Sequence, residues 1–356
     1  MSEDIHKGHK LLKSGKYAEA RQFFEEALQA DPENPSFLTG MGDTLRQQKE
    51  YLAASAYYRQ ALDINRSELN ALRGFGDAMR GSLQYEAAIE YWKSYLQLKN
   101  YKDVFVLTRV ADCYKSLKNV EESQKYYQLV LDINATNRYA LIGLADLYHK
   151  HGMDSQAIEY YEKALDNGVT LINILTIVGN LYYRQGNYEK ARVYYEKTLD
   201  QDPENAYALF GLGNYYRWKS DYLRAIELWE KIKEENSSTA NMLTRLGDAY
   251  RNVGQYEAAE RTFKKNMSLG YNKYSIIGLI KLYCLQSRMD DAHSFYDELL
   301  IRERGEDRKV FSEIGDLLIK RNKPEQAREF LLHALDRQKA NTVVCSIIED
   351  RLKQLR

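Results

Sequence analysis

Charged side chains recur in this sequence at a spacing that could recognise another charged molecule. Asp43/Arg46, Asp77/Arg80 and Asp248/Arg251 each stand three residues apart, and Asp112/Lys115 repeats the arrangement with an ammonium group. On a helix such residues share a face and can pair, at about 0.2–0.5 kcal/mol each. The same ladder can present guanidinium groups to the carboxylates of a partner. Further polar residues fall in phase with it: Arg73, Arg109, Asp146, Asn180, Arg184, Asn214, Arg217 and Arg245.

Nothing comparable is spaced for catalysis. His6 and His9 lie one turn apart without an accompanying Glu, and His149 and His151 sit near a turn without a ligand set. Cys113, Cys284 and Cys345 are odd in number and far apart, and no CxxC pair exists, so neither a zinc site nor a disulfide framework is indicated. Cys113 falls beside apolar core positions and reads as an ordinary small buried residue. Gly74/Gly76 and Gly211/Gly213 imitate a dinucleotide fingerprint, but no strand precedes them. The expectation is a non-enzymatic protein without cofactor or metal.

The elements that carry the ladder are clearest from Ile172 to Asn205. Leu175, Val178, Gly179 and Tyr182 follow the spacing of one helical face. Gly186-Asn187 then interrupts as a turn, and Ala191, Tyr195, Thr198 and Leu199 begin a second amphipathic run that Asp202-Pro203 closes. This helix–turn–helix recurs. The small residue of the first helix reads Gly8, Gly42, Gly76, Ala111, Ala145, Gly179, Gly213 and Gly247, is broken by Ile280, and resumes at Gly315. Its partner on the second helix reads Ala20, Ala54, Ala88, Ser123, Ala157, Ala191, Ala225, Ala259, Ala292 and Ala327. That makes ten copies with a step of 34 residues, lengthened once before the fourth and tenth copies and shortened once before the ninth.

The pattern resembles the Leu…Leu-Gly…Tyr…Gly-x-Tyr…Ala…Tyr…Ala…Pro motif of the tetratricopeptide repeat (TPR) family over essentially the whole chain. It departs from it where the terminal proline survives only as Pro32 and Pro203, and where Tyr95, Ile232 and Asn266 stand in place of a small alanine. The resemblance implies an all-α fold, a right-handed superhelical solenoid of antiparallel helix pairs. The repeats would be 1–34, 35–68, 69–102, 104–137, 138–171, 172–205, 206–239, 240–272, 273–306 and 308–341, and 342–356 would form a C-terminal capping helix. The segment Lys99–Asp103 carries one inserted residue.

Core residues occupy positions 4, 7, 8 and 11 of each first helix, so positions 2, 5, 6, 9, 12 and 13 face the other way. The resemblance implies that this second face lines a concave, ligand-binding groove. Its acids are Asp43, Asp77, Asp112, Asp146, Asp248, Glu313 and Asp316. Its bases are Lys13, Arg46, Arg73, Arg80, Arg109, Lys115, Lys150, Arg184, Arg217, Arg245, Arg251, Lys281, Lys309 and Lys320. The face therefore carries 14 − 7 = +7, and the rest of the chain (51 − 14) − (51 − 7) = −7. Position 6 is glycine at Gly40, Gly74, Gly143, Gly211 and Gly278, either to deepen the groove or to let helices pack closely. If Gly211 only lines the groove, Gly211→Ala is neutral or stabilising.

Composition bounds the rest. Zero net charge from 51 basic and 51 acidic residues argues against a nucleic-acid partner. No run is long enough to span a bilayer, and the opening MSEDIHKGHK has acids and no apolar core of a signal, which points to the cytoplasm. The 30 tyrosines are mostly repeat architecture. The function expected is a protein-interaction scaffold or adaptor that binds an acidic peptide or helix in the groove. An RNA-binding helical repeat protein and an accessory subunit of an enzyme or envelope-assembly complex are the alternatives.

Overall fold

The computed structural model describes residues 2–232, 239–303 and 310–355, and among these every regular element is a helix. The helices group into two compact units, Met1–Thr170 and Leu171–Arg356.

The first unit holds α1 (Ser2–Lys13), α2 (Tyr17–Ala30), α3 (Pro35–Gln47), α4 (Tyr51–Ile64), α5 (Leu69–Gly81), α6 (Tyr85–Leu98), α7 (Val104–Ser116), α8 (Val120–Ile133), α9 (Arg138–Lys150) and α10 (Asp154–Asp166). The second holds α11 (Ile172–Arg184), α12 (Tyr188–Gln201), α13 (Ala206–Trp218), α14 (Tyr222–Glu230), α15 (Thr239–Asn252), α16 (Tyr256–Ser268), α17 (Lys273–Leu285), α18 (Met289–Arg302), α19 (Val310–Lys320), α20 (Pro324–Arg337) and α21 (Thr342–Gln354). Each odd helix pairs with the even helix after it, up to α20.

Local chemistry sets the boundaries. Asn34 caps α3 by accepting from the backbone N–H of Ser36 and Phe37, with Pro35 at the first helical position, where no donor is needed. Asn137, Asn187 and Asn205 cap α9, α12 and α13 in the same way. The inserted segment uses its extra residue to leave α6 through Asn100 and Tyr101, both at positive φ, and Asp103 then caps α7. Asp103 also accepts the hydroxyl of Tyr95 at 2.7 Å, so the large residue standing in place of alanine has a partner. Asn266, the polar exception, is buried and donates to Ala240 O, Thr244 Oγ1 and Ser275 Oγ at 2.8–3.0 Å. Ser123, which replaces alanine in the second-helix column, donates to Ala111 O at 3.0 Å.

The core is a column of aromatics, one on each second helix from α2 to α18, with Leu331 in that place on α20. Phe24, Tyr58, Trp92, Tyr127, Tyr161, Tyr195, Trp229, Phe263 and Tyr296 are all inaccessible or nearly so, beside an alanine column from Ala20 to Ala327 that is wholly buried. Burying each ring stabilises by about 1.5–3 kcal/mol. Several rings are clasped by two small residues, one on their own first helix and one on the next. Phe24 lies against Gly8 and Gly40, Tyr58 against Gly42 and Gly74, Tyr195 against Gly179 and Gly211, and Phe263 against Gly247 and Gly278. Gly143 packs on Tyr127 in the same manner. A Cβ at any of these glycines would overlap the ring. The position-6 glycines are therefore packing residues and do not deepen a groove; the expectation for Gly211→Ala is corrected on that ground.

Tryptophan alters the clasp. Trp92 and Trp229 press their indole nitrogens toward Gly76 and Gly213 and donate to Arg73 O and Phe210 O, both at 3.3 Å. The next first helix then has no glycine at position 6; Arg109 and Arg245 stand there. At the far end, α21 is capped by Asn341 and lays Val344 and Ile348, both buried, on α20. No described helix is long and apolar enough to cross a membrane.

Candidate binding face

Within each unit, first helices touch the first helices of neighbouring pairs: α1–α3, α3–α5 and α7–α9 in one, α11–α13, α15–α17 and α17–α19 in the other. They form the crowded inner side. Positions 9 and 12 of the first helices stand on that side at varied depth: Asp43, Arg46, Asp77, Asp112, Lys115 and Arg217 are half-buried, Arg80 and Asn180 exposed, and Asn214 and Arg251 buried.

In the first unit, position 9 is tied to the aromatic core. Tyr58 donates its hydroxyl to Asp43 at 2.8 Å, Tyr161 donates to Asp146 at 2.6 Å, and Tyr127 donates to Asp112. Burial, and then the neighbouring carboxylate, holds the Tyr58 and Tyr127 phenols well above their ordinary pKa. The bases are tied in turn. Arg46 bonds Asp43 at 3.2 Å and reaches Asp77 at 3.8 Å, and Arg109 also pairs with Asp77. Burial opposes the charge on Arg46, but Tyr58, Asp43 and Asp77 outweigh it and raise its pKa. Lys115 lies 3.8 Å from Asp112 and 4.0 Å from Asp146. Arg73 and Arg80 are exposed and make no ion pair with a described residue. A cleft of about 1010 Å³ is lined by His6, His9, Lys10, Lys13, Asp43, Arg46 and Arg73, and one of about 500 Å³ by Arg46, Asp77, Arg80 and Arg109.

The second unit departs from this scheme because position 9 is an amide at Asn180 and Asn214. Tyr195 donates to Asn180 at 2.8 Å, so the tie to the core survives without the charge. Arg245 donates to Asn214 and to Asn241, and lies over the Phe210 ring at 5.3 Å. Its described partners are neutral. Burial, and then the charge of Arg217, lowers the pKa of Arg245. Arg217 is half-buried, pairs with no described carboxylate, and holds a buried Nε with no acceptor. Arg251 bonds Asp248 at 2.9 Å but is itself buried, with no acceptor for Nη1 among the described residues. A side chain that the helical period places on an open groove is thus part of the packed wall. Arg184 ends α11, exposed.

The groove charge is consequently uneven. Every acid counted on the face has a base: Asp43, Asp77, Asp112, Asp146 and Asp248 as above, Glu313 with Lys281, and Asp316 with Arg351. The positive charge left over includes Arg73 and Arg80 in the first unit and Arg217 and Arg245 in the second. Lys309 lies outside the described residues.

On the second unit the face also carries aromatic side chains that sequence reasoning did not single out. Tyr183 meets Tyr188 edge-on at 4.9 Å, Tyr188 meets Trp218 at 4.5 Å, and Trp218 is about half exposed (46%). The available signal was Trp218 itself, a large apolar residue at position 13, where Lys13, Lys150, Arg184 and Lys320 stand in other copies. The two buried thiols are ordinary core residues: burial pushes Cys113 up to about 11 and Cys284 up to about 12.

The tetratricopeptide repeat family matches residues 11–74, 106–137, 140–170, 179–241 and 243–273. No curated protein matches the chain. Among solved structures, the C-terminal part of a TPR repeat-containing protein from Cytophaga hutchinsonii is similar at 20% identity, covering 68% of this chain and 98% of that one with a TM-score of 0.54. PilF from Pseudomonas aeruginosa (18% identity, 62% and 96% covered, TM-score 0.48) and YrrB, described as a TPR protein with an unusual peptide-binding site (19%, 52% and 95%, 0.45), are also similar. The family match, which spans more than half of the chain, agrees with the regular helix pairs: the chain belongs to the tetratricopeptide repeat family.

Proposed function

We propose that the protein is a non-enzymatic interaction scaffold whose inner, first-helix side takes an acidic peptide or helix from a partner. One observation carries this reading. All the acids of that side are already tied to bases, while Arg80 and Arg217 make no ion pair with a described residue. Unshared guanidinium groups on an inner face attract carboxylates and steer their approach. The clefts around Arg46, Arg73 and Arg80 offer room for a chain segment beside such groups.

A labelled glutamate-rich peptide and its lysine-rich counterpart test the reading by equilibrium binding at low and high salt. The glutamate-rich peptide should bind and weaken steeply with salt, and the other should not bind. Equal binding of both, or binding indifferent to salt, contradicts it.

A further inference from the structure

We propose that Arg217 and Arg245, flanking Asn214 in the second unit, form a receptor for the phosphoryl group of a phosphorylated segment of the partner protein. The proposal rests on the scaffold reading above and names the anion that one part of the inner side prefers.

The chain contains its own control. A tryptophan fills the aromatic column at Trp92 and at Trp229, and at both places the next first helix carries an arginine at position 6. At the first place that arginine, Arg109, finds Asp77, which Arg46 also approaches at 3.8 Å. At the second, Arg245 meets Asn214 instead. The amide satisfies a hydrogen bond but supplies no charge. Arg217 stands one helical turn after Asn214 on α13 and adds a second cation beside the residue that Arg245 bonds, and its charge, after burial, helps to lower the pKa of Arg245. Two buried guanidinium nitrogens on this face, Arg217 Nε and Arg251 Nη1, lack an acceptor among the described residues.

A carboxylate would neutralise one of the two cations that flank Asn214. A phosphoryl group carries about −1.5 to −2 charges at neutral pH and three acceptor oxygens, enough to answer both guanidinium groups. The half-exposed Trp218, next to Arg217 at the end of α13 and tilted against Tyr188 at 4.5 Å, gives an apolar surface to the chain that bears the phosphate. That surface, together with the amphipathic setting, selects a peptide carrier.

The test uses the full chain and three immobilised peptide pools with random flanks and one fixed residue: phosphoserine, glutamate or serine. The phosphoserine pool should retain wild type at least about tenfold better than the glutamate pool, and inorganic phosphate should compete. Asn214→Asp, which recreates the Asp77 arrangement and so should fold, should lose at least about tenfold of phosphoserine binding. Asp77→Asn should do the reverse and add a second phosphoserine site, giving a positive readout independent of how Asn214→Asp behaves. Thermal melts check that both variants are folded. Equal retention by the phosphoserine and glutamate pools overturns the phosphoryl assignment while leaving the acidic-peptide reading intact. Phosphoserine binding that persists in folded Asn214→Asp overturns the site, and failure of both acidic pools overturns this proposal together with the scaffold reading.

Discussion

Tyr195 has its ring between Gly179 and Gly211 and its hydroxyl on Asn180. Gly211→Ala therefore sets two effects against each other. Alanine gains up to about 1 kcal/mol in helix propensity, whereas forcing a methyl into a packed ring costs about 1–3 kcal/mol. Denaturant unfolding should show net destabilisation; a neutral or stabilising result would remove the clasp from the account. The buried phenols supply a pH prediction. Burial, reinforced by Asp43 at Tyr58, Asp112 at Tyr127 and Asp146 at Tyr161, raises their folded pKa above the ordinary value of 10.0. Their contribution to stability is then complete below pH 10 and is lost as pH rises toward the folded values. Melting temperature should fall steeply above pH 10, and the last part of the tyrosinate absorbance, that of the buried phenols, should appear only as the chain unfolds. Early titration of all the tyrosines in the folded state would contradict this. Much at this scale was legible beforehand: the fully buried alanine column was read from its period alone. The second glycine of each clasp was not, because its purpose lies in a ring of the preceding pair, and periodicity within one helix does not reveal which neighbour reaches it. Arg251 misled for a related reason, since a helical wheel assigns a direction and not the depth of the wall around it.

Helix boundaries followed the sequence closely, as at Ile172, Tyr188 and Asp202-Pro203, because asparagine caps, glycine turns and proline stops act locally. What periodicity within one helix did not reveal is a relation between successive pairs: Trp92 and Trp229 are followed at position 6 by Arg109 and Arg245, whereas Tyr58, Tyr127 and Tyr195 are followed by glycine and Tyr161 by Ile177. The final helix is a further case. We propose that α21 covers the last apolar surface of α20, since Val344 and Ile348 bury against it. Ending the chain after Asn341 should lower the melting temperature or the solubility, each lost contact being worth about 1.5–3 kcal/mol. An unchanged melt and unchanged solubility would show that α21 does not act as a cap.

At the scale of the whole molecule, helix pairs contact chiefly their neighbours, so stability is close to a sum of pair and interface contributions. Unfolding should spread over more than one transition, and calorimetric and van't Hoff enthalpies should disagree; equality of the two would mean a single cooperative body. The central claim concerns function: unshared guanidinium groups on the inner side capture an acidic partner. Its most direct test is the association rate of the glutamate-rich peptide with wild type and with Arg80→Glu/Arg217→Glu, across a range of salt. Arg80 is exposed, so its reversal should change stability by no more than about 0.5 kcal/mol, and a thermal melt checks that the half-buried Arg217 tolerates its own. The account predicts a wild-type rate that falls steeply with salt and a folded double variant that associates slowly at every salt concentration. A folded double variant that associates at the wild-type rate, with the same salt dependence, would contradict it.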